Sequence, residues 1–219
     1  MCCNKLSREQ ETINVTPDLF SEDNRLERIP MQHAEVYYQS RFEFDRAPDA
    51  IMNELINEVP WRAENIIVWG KTYVQPRLIA WYGDEGSGYT YSGIQLAPLP
   101  WSALLLDLKN RVEIVAGTAF NSVLLNYYRD NRDSMGFHSD DERELGDQPV
   151  IASLSLGEER TFIFKHKTMK NIKPVRMKLA SGSLLLMKGE TQRYWKHGID
   201  KETRPCGSRV NLTFRCIKY

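Results

Sequence analysis

Long apolar runs are missing from this chain, and so is any excess of charge. No stretch approaches the roughly twenty apolar residues that a bilayer-spanning helix needs, and the N-terminus lacks the charged-then-apolar order of a signal peptide. A soluble, intracellular protein without a membrane partner is expected, cytoplasmic in a bacterium or nuclear in a eukaryote. Cysteine is scarce as well. Cys2, Cys3, Cys206 and Cys216 contain no CxxC pair, which argues against a disulfide framework and leaves reduced thiols. Basic and acidic residues cancel at 29 each, so the total charge names no polyanionic partner, and such a partner would need a local basic patch.

The remaining composition is that of an ordinary globular protein, and 219 residues suffice for one sizeable core. Residues 1–40 are polar with weak periodicity and are expected to form a loosely held arm ahead of a single domain over 41–219. In PDAIMNELINEV, Ile51, Met52, Leu55, Ile56 and Val59 share one helical face between Pro48 and Pro60, and a second helix is expected around Trp101 to Val115. A β-rich segment lies between them. After Gly117 come short runs rich in β-branched and aromatic residues, SVLLNYY, VIASLSL, RTFIFKH, SLLLMKG and RVNLTFRCI. Such spacing predicts an α+β chain with an all-β core, a jelly roll over about 117–219, preceded by helices and a β-rich segment over about 61–100.

Histidine occurs only four times, and one copy stands in GFHSDDERELG. Residues i and i+2 of an extended strand face the same way, so His138 and Asp140 aim an imidazole and a carboxylate at one point. His197 in WKHGI offers a third ligand. Two histidines and a carboxylate make the facial triad of non-haem iron(II) oxygenases, although zinc accepts the same ligand types for hydrolysis. In RVNLTFR, Arg209, Asn211, Thr213 and Arg215 fall on one face, opposite Val210, Leu212 and Phe214. Two arginines on a core-like strand call for an anion, because unpaired buried guanidinium groups are costly. Their Cα atoms lie roughly 20 Å apart along a strand, a gap that two arginine side chains and a short dicarboxylate fill. Pairing with acids such as Glu158 or Glu159 would satisfy them equally. In NYY, Asn126 and Tyr128 are also i and i+2, placed to add neutral hydrogen bonds.

From about Trp61 onward the chain resembles the AlkB family of iron(II)- and 2-oxoglutarate-dependent nucleic-acid dealkylases, through PRLIAWYGDEGSGYTYSG, FNSVLLNYYRD, HSDDE, IASLSLG and RVNLTFR. The resemblance implies a double-stranded β-helix with a nucleotide-recognition lid, and Fe(II), 2-oxoglutarate and O2 as metal and co-substrates. It implies that His138, Asp140 and His197 hold the iron. Arg209 and Tyr128 would hold the distal carboxylate of 2-oxoglutarate, Arg215 and Asn126 the end nearer the metal, and Asn211 would support them. The implied activity is direct-reversal DNA repair. Decarboxylation of 2-oxoglutarate by O2 gives succinate and CO2 and drives hydroxylation of an N-methyl group, which leaves as formaldehyde. The implied lesions are N1-methyladenine and N3-methylcytosine. An RNA demethylase, or a hydroxylase of a protein or small molecule on the same scaffold, are the alternatives.

Such a base must be flipped out of the stack or already single-stranded. By the resemblance Tyr91, with Tyr89 beside it, stacks on the flipped base. Asp141 and Glu142 next to the metal ligands favour a cationic methylated ring, with cation–π attraction from tyrosine faces. Val68, Trp69, Gly70 and Lys71 match the hairpin tip that a duplex-acting animal member wedges into the vacated space. Between Thr161 and Lys178 the chain carries Lys165, Lys167, Lys170, Lys173, Arg176 and Lys178 with no acid. This is the local patch that zero net charge conceals, and Lys165, Lys167 and Lys170 are expected to contact DNA bearing alkylated bases, or RNA. The protein is expected to act as a monomer.

Overall fold

The computed structural model describes residues 25–218 except positions 69, 70, 88, 92 and 93, with backbone alone at 66–68, 71, 89–91 and 94–96. Residues 1–24, Cys2 and Cys3 among them, together with Trp69 and Gly70, lie outside the described residues. Val68, Lys71, Tyr89 and Tyr91 are placed by backbone only.

The chain runs through β1 (Glu27–Ile29), β2 (Glu35–Gln39), α1 (Pro48–Glu58), β3 (Asn65–Val68), β4 (Lys71–Val74) and β5 (Leu78–Gly83). It continues through β6 (Tyr89–Tyr91), β7 (Ile94–Leu96), α2 (Ala103–Ala116), β8 (Ser122–Tyr128), β9 (Met135–His138) and β10 (Ile151–Gly157). The remaining elements are β11 (Arg160–His166), β12 (Val175–Leu179), β13 (Ser183–Lys188), α3 (Thr191–Tyr194), β14 (Trp195–Ile199) and β15 (Arg209–Arg215). A seven-stranded antiparallel sheet in the order β1-β2-β13-β10-β15-β8-β5 faces a four-stranded sheet in the order β12-β11-β14-β9. The pairs β3-β4 and β6-β7 form separate hairpins. This is the jelly-roll core with flanking helices that the strand spacing predicts.

Strand alternation sorts the core into two layers. Outward-facing Val123, Leu125, Ala152, Leu154, Leu156, Val210, Leu212 and Phe214 of the large sheet pack with Ile51, Met52 and Leu55 of α1 and Leu105, Leu108 and Val112 of α2. Each large aliphatic or aromatic side chain so buried contributes about 1.5–3 kcal/mol. The helices are set by local chemistry. Pro48 opens α1, while the Ser102 hydroxyl accepts from the Leu105 amide and left-handed Gly117 (φ 68°) closes α2. Between the sheets, Ile79, Trp81, Leu124, Leu185 and Met187 meet Phe162, Phe164, Met177, Leu179 and Trp195.

Two expected boundaries move. Residues 27–39 belong to the domain, unlike the expectation, because β1 and β2 extend the large sheet and bury Val36 and Tyr38 in the inter-sheet core. Strands of three and five residues are too short to show alternation, and a long-range edge supplies what their own pattern lacks. The segment 61–100 is also divided: β5 pairs with β8 and puts Ile79 and Trp81 into the core, so only the two hairpins stand apart from the main sheets.

Candidate metal centre

β9 and β14 are neighbours in the small sheet, and their register sets His138 opposite His197. The register shifts between His197 and Ile199, where a Cβ on Gly198 would come within 2.9 Å of the Met135 carbonyl. Bare backbone at Gly198 lets the two ligand-bearing strands close together. The ring centroids stand 4.5 Å apart. The His138 Nδ1 lies 3.0 Å from the Gly136 carbonyl, which leaves Nε2 for the centre. His197 is buried and stacked on Phe162.

Asp140 arrives differently from the expectation of one continuous strand. β9 ends at His138, and Asp140 sits in the following turn. The Ser139 hydroxyl donates to the Trp195 carbonyl at 2.9 Å, and the Asp140 amide donates to Gln192 Oε1 at 3.0 Å. Side-chain bonds to α3 and β14 thus do the aiming that strand alternation was expected to do. Ligand atoms of His138, Asp140 and His197 all fall within 4.8 Å of one another. Asp140 Oδ2 lies 3.5 Å from His197 Nε2 and is buried without a hydrogen bond. An orphaned carboxylate oxygen between two imidazole groups fits a divalent metal, and the donor set is that of a non-haem iron centre. Burial would raise the Asp140 carboxyl, but Arg215 and His197 outweigh it and hold it well below the usual carboxylate range. Burial holds the His138 imidazole down to about 4, with His197 adding to the drop and Asp140 opposing it. Both groups are therefore in the metal-binding form at neutral pH.

The inner face of the large sheet is polar at its middle. Register sets Arg209 opposite Tyr128, Asn211 opposite Asn126 and Ser155, and Thr213 opposite Ser153. All of these are buried. Arg215 donates from Nη2 to Asp140 Oδ1 at 2.5 Å, so its acid is the metal-site carboxylate itself and neither Glu158 nor Glu159. Glu159 pairs instead with Lys178. Arg209 donates from Nη2 to the Ser155 hydroxyl at 3.0 Å, while its Nε and Nη1 are buried without hydrogen bonds. Burial pulls its guanidinium down to about 10, against the opposing pull of Tyr128 and with Arg160 adding to the drop. The Tyr128 hydroxyl and Asn126 Nδ2 are likewise buried without hydrogen bonds. Unmet donors from Arg209, Tyr128 and Asn126 on one inner face make a cleft for an anion. Asn211 braces it, donating to the Ser153 hydroxyl and the Leu154 carbonyl and accepting from Thr213.

Several residues here were not foreseen. Arg77 fixes Asn126 by donating to its Oδ1 at 2.7 Å. Arg160, fully buried, packs on the Tyr128 ring as Arg209 does, with guanidinium carbons 5.8 and 5.2 Å from the ring centroid. Ser153 and Ser155 could have been read from IASLSLG, where they alternate with the apolar residues. Arg77 and Arg160 carry no local pattern that distinguishes them from surface arginines.

The residues expected to meet a base and nucleic acid are partly brought together. Asp141 is exposed and Glu142 half-buried beside the centre. Asp141, however, pairs with Lys167 at 2.8 Å, so an acid expected to read the base and a lysine expected to meet phosphate neutralise each other. Being partly exposed, the pair is worth about 1 kcal/mol at most. Lys165 lies 3.5 Å over the Phe137 ring, and Lys170 is exposed. The basic run is half strand, since β12 begins at Val175. Among the described residues no helix is long and apolar enough to cross a membrane.

Residues 36–215 match the family model of the 2OG-Fe(II) oxygenase superfamily. The human alpha-ketoglutarate-dependent dioxygenase alkB homolog 3 is 45% identical over 177 residues, covering 77% of this chain and 61% of that protein. The mouse DNA oxidative demethylase ALKBH2 is 44% identical over 178 residues, covering 77% of this chain and 74% of that protein. This chain thus spans about three fifths of the length of the alkB homolog 3 relatives. The solved structure of OsALKBH1 superposes with a TM-score of 0.57 at 16% identity, over 88% of this chain and 100% of that one, a likeness of fold. On the span of the family match and the identity to these relatives, the chain belongs to the 2OG-Fe(II) oxygenase superfamily and, within it, to the AlkB family of Fe(II)/2-oxoglutarate-dependent dioxygenases.

Proposed function

We propose that the protein is a direct-reversal DNA repair enzyme that demethylates N1-methyladenine and N3-methylcytosine, acting as a monomer inside the cell and releasing formaldehyde, succinate and CO2. One observation carries this function. A three-ligand metal centre and an anion cleft with unmet donors share the space between the two sheets, joined by the Arg215–Asp140 ion pair. A hydrolytic zinc site has no use for the second buried arginine.

In this proposal His138, Asp140 and His197 hold Fe(II), which when bound supplies the activation of O2 by one-electron chemistry. Arg209 Nε and Nη1 and the Tyr128 hydroxyl bind the distal carboxylate of 2-oxoglutarate. Asn126 Nδ2 and Arg215 serve the end nearer the metal, and Asn211 keeps the cleft floor in place. Tyr89 and Tyr91 on β6 stack on the flipped base. Asp141 and Glu142 favour its positive charge. Val68 at the end of β3, Lys71 at the start of β4, and Trp69 and Gly70, which lie between them in sequence, fill the vacated stack, and Lys165, Lys167 and Lys170 meet phosphates. The mouse relative is a DNA oxidative demethylase, which supports DNA as the substrate.

The test is incubation with Fe(II), 2-oxoglutarate and single- or double-stranded oligonucleotides containing N1-methyladenine, scoring base reversion and succinate. Reversion with stoichiometric succinate is expected. Succinate without reversion on any oligonucleotide assigns the centre to another substrate, and absence of both removes the dioxygenase chemistry.

A further inference from the structure

The small sheet has a second face. Its inner side carries Phe162, Phe164, Trp195 and His197, all buried, so strand alternation turns Lys165, Arg176, Lys178 and Lys196 outward. All four are exposed. Register puts Lys165 directly opposite Lys196 across β11 and β14, and Arg176 and Lys178 opposite Ile163 and Thr161 across β11 and β12. Strands β9, β11, β12 and β14 read MGFH, RTFIFKH, VRMKL and WKHGI, without one aspartate or glutamate. Lys178 is matched by Glu159 at 2.8 Å. Among the described residues Lys165, Arg176 and Lys196 form no ion pair.

Like charges directly opposite on an antiparallel pair destabilise it, and a sheet normally avoids them or places acids beside them. Here the protein keeps the Lys165–Lys196 juxtaposition and offers no acid on the sheet. An aromatic ring lies on the same face, because Phe137 precedes inward-facing His138 and carries the Lys165 ammonium 3.5 Å from its centroid. Cations spread over three adjacent strands, about 10 Å wide at the usual spacing, with a ring among them, are the chemistry that holds a phosphate backbone and stacks an unpaired base. An acidic protein partner would match the charges as well, but the nucleic acid that the proposed function brings to the metal centre on this same sheet is the partner that the charge and the position together favour. The face is also tied to the metal centre by chain, since Lys196 and Phe137 each precede a ligand, His197 and His138.

Resting on the demethylase function above, we propose that the outer face of the four-stranded sheet, centred on Lys196 and Arg176 beside Lys165, is a further nucleic-acid surface. It binds the single-stranded backbone flanking the base presented to the metal centre. It is distinct from the loop contacts of Lys167 and Lys170 and makes affinity grow with oligonucleotide length.

The experiment uses the full chain and unmodified single-stranded DNA of five and twenty nucleotides. Binding is followed by fluorescence anisotropy across a salt series, beside turnover of an N1-methyladenine trinucleotide. Each single-strand phosphate contact contributes about 0.7 to the slope of log affinity against log salt, so Arg176→Gln/Lys196→Gln should lower the slope for the twenty-mer by about 1.4. Its affinity should drop about tenfold at low salt, while the five-mer is little changed. Arg176→Lys/Lys196→Arg, which keeps the charges, should retain the wild-type slope. An unchanged slope in the glutamine variant overturns the surface, and so does an equal loss in the charge-keeping variant, which assigns the effect to folding. A wild-type protein inactive on the trinucleotide and on every longer methylated oligonucleotide overturns the demethylase function instead.

Discussion

Arg215 on the last strand of the large sheet donates to Asp140 at 2.5 Å, and so ties the anion cleft to the turn that follows the edge of the small sheet. Both side chains are almost fully buried. Removing one partner strands a buried charge, and Arg215→Met should cost the metal-free protein about 3–5 kcal/mol of unfolding free energy. Its pH dependence follows from the sign of the Asp140 shift. A carboxyl held low in the folded state contributes stability above its unfolded pKa of about 3.9 and loses it as pH falls. With Arg215 gone the Asp140 pKa rises, so the acid-unfolding midpoint should move to higher pH. Urea and acid titrations followed by circular dichroism check both, and a midpoint that stays put would contradict the ion pair.

Arg209 behaves in the opposite sense. Its charge is buried with two unmet N–H groups, so its presence is a burden on the ligand-free fold. Arg209→Met should therefore match or exceed the wild type in thermal stability without ligand. With a redox-inert divalent metal present, 2-oxoglutarate at a hundredfold its Kd should stabilise the wild type by about 2.7 kcal/mol. The methionine variant should show no such gain. Thermal melts with and without 2-oxoglutarate separate the two proteins, and an equal gain in both would place the distal carboxylate elsewhere.

Arg160 holds two connecting loops to β11. Its Nη2 donates to the carbonyls of Asp133 at 3.0 Å and Asp200 at 2.7 Å. Arg160→Met leaves these acceptors without a donor at a cost of about 2–4 kcal/mol, taking one to two for each. Equilibrium urea unfolding measures the loss. The Michaelis constant for 2-oxoglutarate should rise as well, because the Tyr128 ring loses one of the two guanidinium groups packed against it.

His166 marks where β11 gives way to the basic loop. Its Nδ1 accepts from the amides of Thr168 at 3.3 Å and Met169 at 3.0 Å, which requires the neutral ring. Burial, and secondarily His33, lowers its pKa below the ordinary 6.5. The unfolded chain therefore binds the proton more readily, and stability falls as pH drops below about 6.5 toward the lower folded value. Amide exchange at Thr168 and Met169, corrected for intrinsic rates, should be faster at pH 5 than at pH 7. Equal protection at both pH values would show that the ring does not cap this turn.

Much of the site was legible because strand alternation is a local rule. RVNLTFR separates Arg209, Asn211, Thr213 and Arg215 from Val210, Leu212 and Phe214 whatever the rest of the chain does, and the structure keeps that separation. β1 and β2 were not legible, since three and five residues at a sheet edge show no period of their own. Arg77 and Arg160 were also missed. Their burial depends on carbonyls and an asparagine distant in sequence, and nothing in the neighbouring residues announces it.

The amino-acid order by itself determined which residues of RVNLTFR share a face and where α1 starts, through backbone periodicity and side-chain type, while the resemblance to the AlkB family singled out His138, Asp140 and His197 as metal ligands. Tertiary structure alone decided that Asp140 reaches the centre from a turn held by Gln192 and Trp195, and that Arg215 neutralises Asp140 while Arg209 keeps unmet donors for a ligand. It also decided that Asp141 closes on Lys167. Each of these depends on distance between elements far apart in the chain, and buried charges take whichever partner the packing brings within reach.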